Sequence, residues 1–338
     1  MPDTPARSEI LSLPKVELHV HLGGTIREEL AVDLAQRHGV EPSSALRLVD
    51  GRYPRRYGDF PHFLDTFLAS NALVRTPDDL ALVASEFAKR QTAEGIVWSE
   101  VIFTAMIYVR NGMEPSDMWA ALREGFASAG PGIGIGIVVD AIRDLGRSEA
   151  EATIRVAADA DAPIVGLCLT GIEGVVPMSE FTLLRDTSTS LGIGLEVHAG
   201  EMGPPSSIVE ALDVLGADRI GHGVTAIEDP DLMTRLARDQ VPLDVCSSSN
   251  VAIGLFPSLE EHPMTRFREE GLNVTISSDD PPFFATTLTD ELSHFARVAG
   301  LSLDDLTTLQ RRAMENSFAA SRTKQAGLAI IDEWSAGP

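Results

Sequence analysis

The sequence predicts an α/β chain folded as a (β/α)8 TIM barrel across residues 1–338, with residues 25–95 as a helical insertion after the first strand. Three observations predict it. Short Val- and Ile-rich segments recur eight times, helical periodicity fills the intervals, and the polar residues with chemical potential gather at the segment ends. The segments are Val16–Leu22, Val97–Phe103, Gly134–Ala141, Ile164–Thr170, Gly192–His198, Arg219–Gly223, Pro242–Cys246 and Asn273–Ser277. Several, such as IGIGIVV and IVGLCL, are apolar on both faces, as buried parallel strands are.

The first segment carries Glu17, His19 and His21. His19 and His21 flank Val20, so strand alternation turns both to the same inward face. The gap from Leu22 to Val97 is too long for a simple crossover. It holds a helical pattern at Ile26–His38, the aromatic stretch Tyr53–Phe67 (YPRRYGDFPHFLDTF), and a helix at Pro77–Glu94 with Leu80, Val83, Ala84 and Phe87 on its apolar face. Insertions of this size after a barrel strand lie over the C-terminal mouth, where barrel active sites sit. On that reading the segment is a lid whose Phe60 and Phe63 contact the substrate; the other reading is a peripheral helical hairpin. Later intervals give helices at Ser148–Ala160, Ser206–Leu215 and Asp229–Arg238, and no linker, repeat or low-complexity tract divides the chain.

Composition narrows the function. Of 338 residues 44% are hydrophobic, which is ordinary for a globular chain. A net charge of -23 repels nucleic acid and anionic membrane, because neutralising phosphates needs clustered Lys and Arg. It also counts against a polyphosphate substrate. Cys168 and Cys246 are the only cysteines, too few for a disulfide framework or a Cys-based zinc cluster. The start, MPDTPARSEI, lacks the apolar core of a secretory signal, and no run of about 18 apolar residues occurs. The expectation is a soluble, cytoplasmic protein whose partner is a small molecule, with neither nucleic acid nor membrane involved.

The chemistry sits where barrel strands end. The fifth segment ends in His198, with Glu201 close behind in HAGE; the sixth carries His222 in RIGHGV; the eighth runs into Asp279 and Asp280 in SSDDP. Two inward histidines, a third at another strand end and an aspartate at a fourth point to a metal, since unpaired polar groups inside a barrel cost several kcal/mol. Neutral imidazoles with one carboxylate suit Zn2+ and leave a position for water, although iron or cobalt would take the same ligands. A pair of metals bridged by a carbamylated lysine is excluded: Lys15 precedes the first strand, Lys89 is in a helix, and Lys324 is near the C-terminus. One ion per chain is expected. Glu201 and His222 are then the groups available to move protons, and Asp280 is free to accept a hydrogen bond from the substrate. Glu201 also reads as an N-terminal carboxylate of the Ser206–Leu215 helix.

In PKVELHVHLGG (Pro14–Gly24), HAGE (His198–Glu201), RIGHG (Arg219–Gly223), SSDDP (Ser277–Pro281) and, more loosely, CSSSN (Cys246–Asn250), the chain resembles the adenosine deaminase-like purine deaminases. The motifs occur in family order and span nearly the whole chain. The resemblance implies one zinc held by His19, His21, His198 and Asp279. It implies that Glu201 protonates purine N1, that His222 and Asp279 orient the attacking hydroxide at C6, that Asp280 holds N7 and that the Gly171 N–H contacts N3. The implied substrate is adenosine or deoxyadenosine, with free adenine or a 5′-substituted adenosine such as aminodeoxyfutalosine as the alternative. A silent binding barrel would lack a ligand or the glutamate, and here all are present.

Three departures touch the substrate's periphery. HLGGT puts Gly23 where the family has an aspartate for the ribose 5′-hydroxyl, which removes an acceptor and is expected to leave room. Cys168 and Ile172 replace acidic residues after the fourth strand. SEVIF lacks an arginine common in the family, and CSSSN a proline.

Overall fold

Among residues 4–337, which the computed structural model describes, the eight Val/Ile-rich segments form eight strands. They are β1 (Lys15–His21), β2 (Ile96–Phe103), β3 (Gly134–Ile142), β4 (Ile164–Thr170), β5 (Gly194–Ala199), β6 (Arg219–His222), β7 (Pro242–Val245) and β8 (Asn273–Ile276). Each pairs in parallel with the next, in the order β1 to β8. The ring closes just beyond β8, where the His21 N–H donates to the Asp279 carbonyl (2.9 Å) and the Asp279 N–H to the His19 carbonyl (3.1 Å). The chain is therefore a (β/α)8 barrel, and its seam runs through three residues singled out by the sequence.

Strand limits differ from expectation by a residue or two, with local causes. β5 starts at Gly194 because Gly192, at φ +65°, is the left-handed cap of the helix Thr182–Leu191. The helix Pro77–Ala93 starts at a capping box, in which Thr76 accepts from the Asp79 N–H (3.2 Å) and Asp79 from the Thr76 N–H (3.0 Å). Past its last residue the chain turns at Gly95, whose carbonyl receives the Lys15 N–H and so hands the chain to the start of the sheet.

That helix packs on Pro115–Phe126 as one of the outer ring, so the addition to the barrel proper within residues 25–95 is the stretch before it. The helix Phe60–Asn71 is the part that reaches the mouth. Asp59 caps it, accepting from the His62 N–H. Its Phe63 and Phe67 pack against Phe283 and Phe284 of the segment after Asp280, while Tyr53 stacks on Phe283 with ring centroids 4.0 Å apart. Aromatic pairs of this kind contribute about 0.5–1.5 kcal/mol each beyond their burial. They fasten the helix across the C-terminal ends of β1 and β8.

The lower barrel interior is not wholly apolar. Arg219, fully buried, is met by Glu100 (2.8 Å), Glu196 (2.6 Å) and Asp244 (2.6 Å), and its guanidinium stacks on Phe318. Three carboxylates around one guanidinium tie β2, β5, β6 and β7 together beneath the mouth. Among the described residues no helix is long and apolar enough to cross a membrane.

Candidate active site

Four strand ends bring the expected residues into one cluster. The rings of His19 and His198 lie 4.6 Å apart, His19 and His222 5.0 Å, His198 and His222 5.0 Å, and His21 and His198 5.4 Å. Asp279 Oδ1 is 3.4 Å from His21 Nε2 and 3.6 Å from His19 Nε2. His222 and Asp279 both take left-handed backbone angles, φ +64° and +63°. Such angles cost a non-glycine residue of order 1 kcal/mol or more and persist where the surroundings impose them, as they do at active sites. Gly221 makes room for the cluster, since a Cβ there would come within 2.9 Å of both His19 Cε1 and His198 Cδ2.

The donor set fits a metal ion. His19 Nδ1 is taken by Glu196 Oε1 at 2.5 Å, which turns Nε2 towards the cluster. His19 Nε2 and His198 Nε2 are both buried without a hydrogen-bond partner, a costly arrangement unless an ion coordinates them. Burial lowers the pKa of His21 and of His222 to about 4, and burial with the neighbouring histidines takes His198 well below its usual value. These imidazoles are neutral at pH 7, as ligands must be. His19 differs: burial opposes its charge, but Glu196 and Asp279 outweigh it and raise its pKa well above the ordinary value, a place for positive charge that a metal ion would fill. Asp279 in turn is held ionised against burial first by its contact with His19. A ring nitrogen of His222 lies within 4.8 Å of ring nitrogens of His19 and His198, as a ligand's would, although Nδ1 faces the Asn250 amide at 3.5 Å. Cys246 also approaches His19 and Asp279, but burial holds its thiol well above the ordinary range and hence protonated.

Above the cluster opens a cavity of about 300 Å³. His21, His198, Glu201, His222, Gly171, Asp279 and Asp280 face it, and Phe60 and Phe63 line its wall together with Leu64 and Phe67 of the same helix. Burial, then the charges of Asp279 and Glu173, push the Glu201 pKa well above the ordinary carboxylate value and so favour its protonated form. Its Oε1 is 3.7 Å from His222 Nε2. Gly171, at φ +92°, has no room for a Cβ, which would overlap Asp144 Oδ1.

The structure changes what was expected of Gly23 and of Lys15. Gly23 leaves no open space: Asn71, arriving from the end of the lid helix, fills it and donates to the Gly23 carbonyl (3.3 Å), and Gly23 does not line the cavity. Burial and then the Asp279 charge raise the Asp280 pKa well above its usual range, which favours the protonated form, and its Oδ1 is buried without a hydrogen-bond partner. Glu17, on the same strand as His19 and His21, lies apart from the histidine cluster. A register irregularity between Glu17 and Val20 breaks the alternation, and Gln91 (2.6 Å) and Ser278 (2.5 Å) hold the carboxylate elsewhere. Lys15 is the first residue of β1 rather than a residue before it, but its Nζ is bound by the carbonyls of Ile10, Leu11 and Leu13 at the far end of the barrel.

Sequence reasoning missed three groups that shape the site. Glu196 shares parity with His198 on β5, a signal that was available. Asp140, at the end of β3, lines the cavity and accepts from the hydroxyls of Thr104 (2.6 Å) and Thr170 (2.9 Å). Glu173 lies behind Glu201 and gave no sign of its function.

A family model described as adenosine deaminase matches residues 14–334. The chain belongs to the adenosine deaminase family. This family member is accordingly a hydrolase that removes an amino group from a purine ring, within the metal-dependent amidohydrolases. It is 36% identical to an adenine deaminase of Sinorhizobium medicae over 322 residues, 94% of this chain and 98% of that one. A crystal structure of adenine deaminase from Arthrobacter aurescens superposes with TM-score 0.88 at 31% identity, covering 96% of this chain and 100% of the other. An amidohydrolase from Burkholderia ambifaria with bound Zn superposes with TM-score 0.86 at 26% identity, covering 98% and 93%.

Proposed function

We propose that this hydrolase removes the 6-amino group of adenine, yielding hypoxanthine and ammonia, with one Zn2+ held by His19, His21, His198 and Asp279. The observation that carries the reading is Glu201, a buried carboxyl that lines one cavity with His21, His198 and His222 in surroundings that favour its protonated form. Adenine, rather than the adenosine suggested by the motifs, is supported by the names of the Sinorhizobium and Arthrobacter relatives. Asn71 supports it too, since it occupies the place from which a ribose 5′-hydroxyl would be read.

When bound, the ion brings the pKa of a coordinated water to about 7 and so supplies a nucleophile at neutral pH. The remaining work belongs to side chains. Glu201 donates its proton to N1 and makes C6 electrophilic. The Gly171 N–H holds N3, and protonated Asp280 donates to N7. His222 and Asp279 orient the attacking oxygen, and His222 carries its proton to the leaving nitrogen. C6 gains one oxygen, the C6–N bond breaks, and ammonia departs. Phe60 and Phe63 cover the ring and exclude water.

A second reading, a 9-substituted adenine, is favoured by the apolar continuation of the cavity to Leu68, Leu145 and Ile172 at its rim. Ammonia release from adenine, adenosine and 5′-deoxyadenosine separates the two. Adenine should lead in kcat/KM by at least about tenfold, the scale on which a mismatched pocket discriminates. Equal or better turnover of either nucleoside favours the second reading, and turnover of none of the three contradicts both.

A further inference from the structure

Glu201 has no secondary structure of its own to hold it. It lies between the end of β5 and the helix Pro205–Asp213, in the run Gly200-Glu201-Met202-Gly203. Four consecutive main-chain N–H groups in this run converge on one carboxylate, that of Glu173 in the loop after β4. Glu173 Oε2 accepts from Gly200 N (2.8 Å), and Oε1 accepts from Glu201 N, Met202 N and Gly203 N (3.0 Å each). The Ser207 hydroxyl adds a fifth bond to Oε2 at 2.6 Å. Successive N–H groups around a left-handed residue form an anion-binding concavity, and Gly200 supplies that residue at φ +67°.

Two glycines are required by the arrangement. A Cβ on Gly203 would overlap Glu173 Oε2, and one on Gly200 would overlap Ile208 Cδ1. Arg143, buried behind the loop, donates to the carbonyls of Leu169 (3.0 Å), Thr170 (3.2 Å) and His198, and so locks the ends of β4 and β5 together beneath Glu173. Burial alone would raise the Glu173 pKa, but the Ser207 hydroxyl, the Gly203 N–H and the Arg143 charge outweigh it and keep the carboxyl ionised. The loop that carries Glu173 also carries Gly171, so one short segment fixes a ring contact and the acid's backbone together.

We infer that Glu173 is the positioning residue for the proton donor: its carboxylate gathers the Gly200–Gly203 amides and so aims the Glu201 carboxyl at the substrate ring. This rests on the role proposed for Glu201. Glu173 touches neither the substrate nor the histidine cluster. Its removal should therefore lower kcat while leaving KM and metal content nearly unchanged. A displacement of about 1 Å in a reacting group costs on the order of 100-fold in rate.

The test is a double-mutant cycle on the zinc-loaded enzyme with Glu173→Gln, Glu201→Gln and the pair, reading kcat, KM, zinc per chain and melting temperature. Glu173→Gln keeps the shape but turns an amide N–H towards donors. It should lose about 100-fold in kcat with KM within about threefold and zinc retained. In the Glu201→Gln background the same change should cost almost nothing further, because the group being aimed can no longer donate. Glu173→Asp keeps the charge but is one methylene short, so it should not restore the rate; it takes the place of Glu173→Gln in the cycle should that variant fail to fold. Near wild-type kcat for Glu173→Gln, loss of zinc, or a full 100-fold loss on top of Glu201→Gln would each overturn the inference. Near wild-type kcat for Glu201→Gln alone would instead remove the proposed acid, a failure that shows in the single variant before the cycle is closed.

Discussion

Glu196 spends both carboxylate oxygens on holding the metal cluster in place, and its replacement by glutamine has a calculable effect. Oε1 meets His19 Nδ1 at 2.5 Å, and Oε2 meets Arg219 Nη2 at 2.6 Å and Nε at 3.0 Å. Burial opposes the Glu196 charge, but Arg219 and His19 outweigh it and take the pKa down to about 2, so the group is ionised throughout any working range. Glutamine retains the volume but must turn an N–H either at His19 or at Arg219, and it removes the charge that makes His19 a stronger donor to a metal. The barrel should survive, because Arg219 keeps Glu100 and Asp244. Loss of such an outer partner weakens metal binding by about 10–100-fold, equivalent to about 1.4–2.7 kcal/mol. Competition against a chromophoric zinc chelator measures the dissociation constant, and activity at saturating zinc should recover much of the lost rate. A dissociation constant equal to that of the wild type would refute the reasoning that Glu196 tunes His19.

Asp140→Asn tests a buried charge. Burial raises the Asp140 pKa from 3.8 to about 6 against the opposing Thr104 and Thr170 hydroxyls, so the native state disfavours ionisation and wild-type stability falls as pH rises through that interval. The cost approaches about 3 kcal/mol above pH 6, and asparagine escapes it, so the variant should gain melting temperature relative to wild type at pH 8 but not at pH 4; an equal difference at both would sink the argument. Gly23→Asp should destabilise by about 1–3 kcal/mol rather than retune specificity, since Asn71 is held by Phe67 O (2.9 Å) and the Tyr108 hydroxyl (3.0 Å) and cannot yield freely. Adding Asn71→Ala should recover the melting temperature, and a failure to do so would point to another clash. His222→Ala should cut kcat by about 10²–10⁴-fold with zinc retained; loss of zinc by elemental analysis would make His222 a ligand instead.

The barrel was legible because strands buried on both faces read as near-continuous Val and Ile. The cluster was legible because His19, His198, His222 and Asp279 are polar residues at the ends of otherwise apolar strands, where burial demands a reason. What stayed hidden depends on distance in sequence. Asn71 reaches Gly23 from 48 residues away, and nothing near either residue announces the meeting. Glu173 meets the Gly200–Gly203 amides only because two neighbouring loops fold over one mouth, and a lone glutamate in LTGIEG is indistinguishable from a surface carboxylate.

On the proposed reading, one metal ion held by residues of three separate chain segments makes this chain a 6-aminopurine hydrolase. Titrating chelator-stripped protein with Zn2+ while following ammonia release from adenine tests it directly. The rate should rise in proportion to added zinc and level off at one equivalent per chain. Full activity in the stripped protein, or a break at two equivalents, would contradict the account.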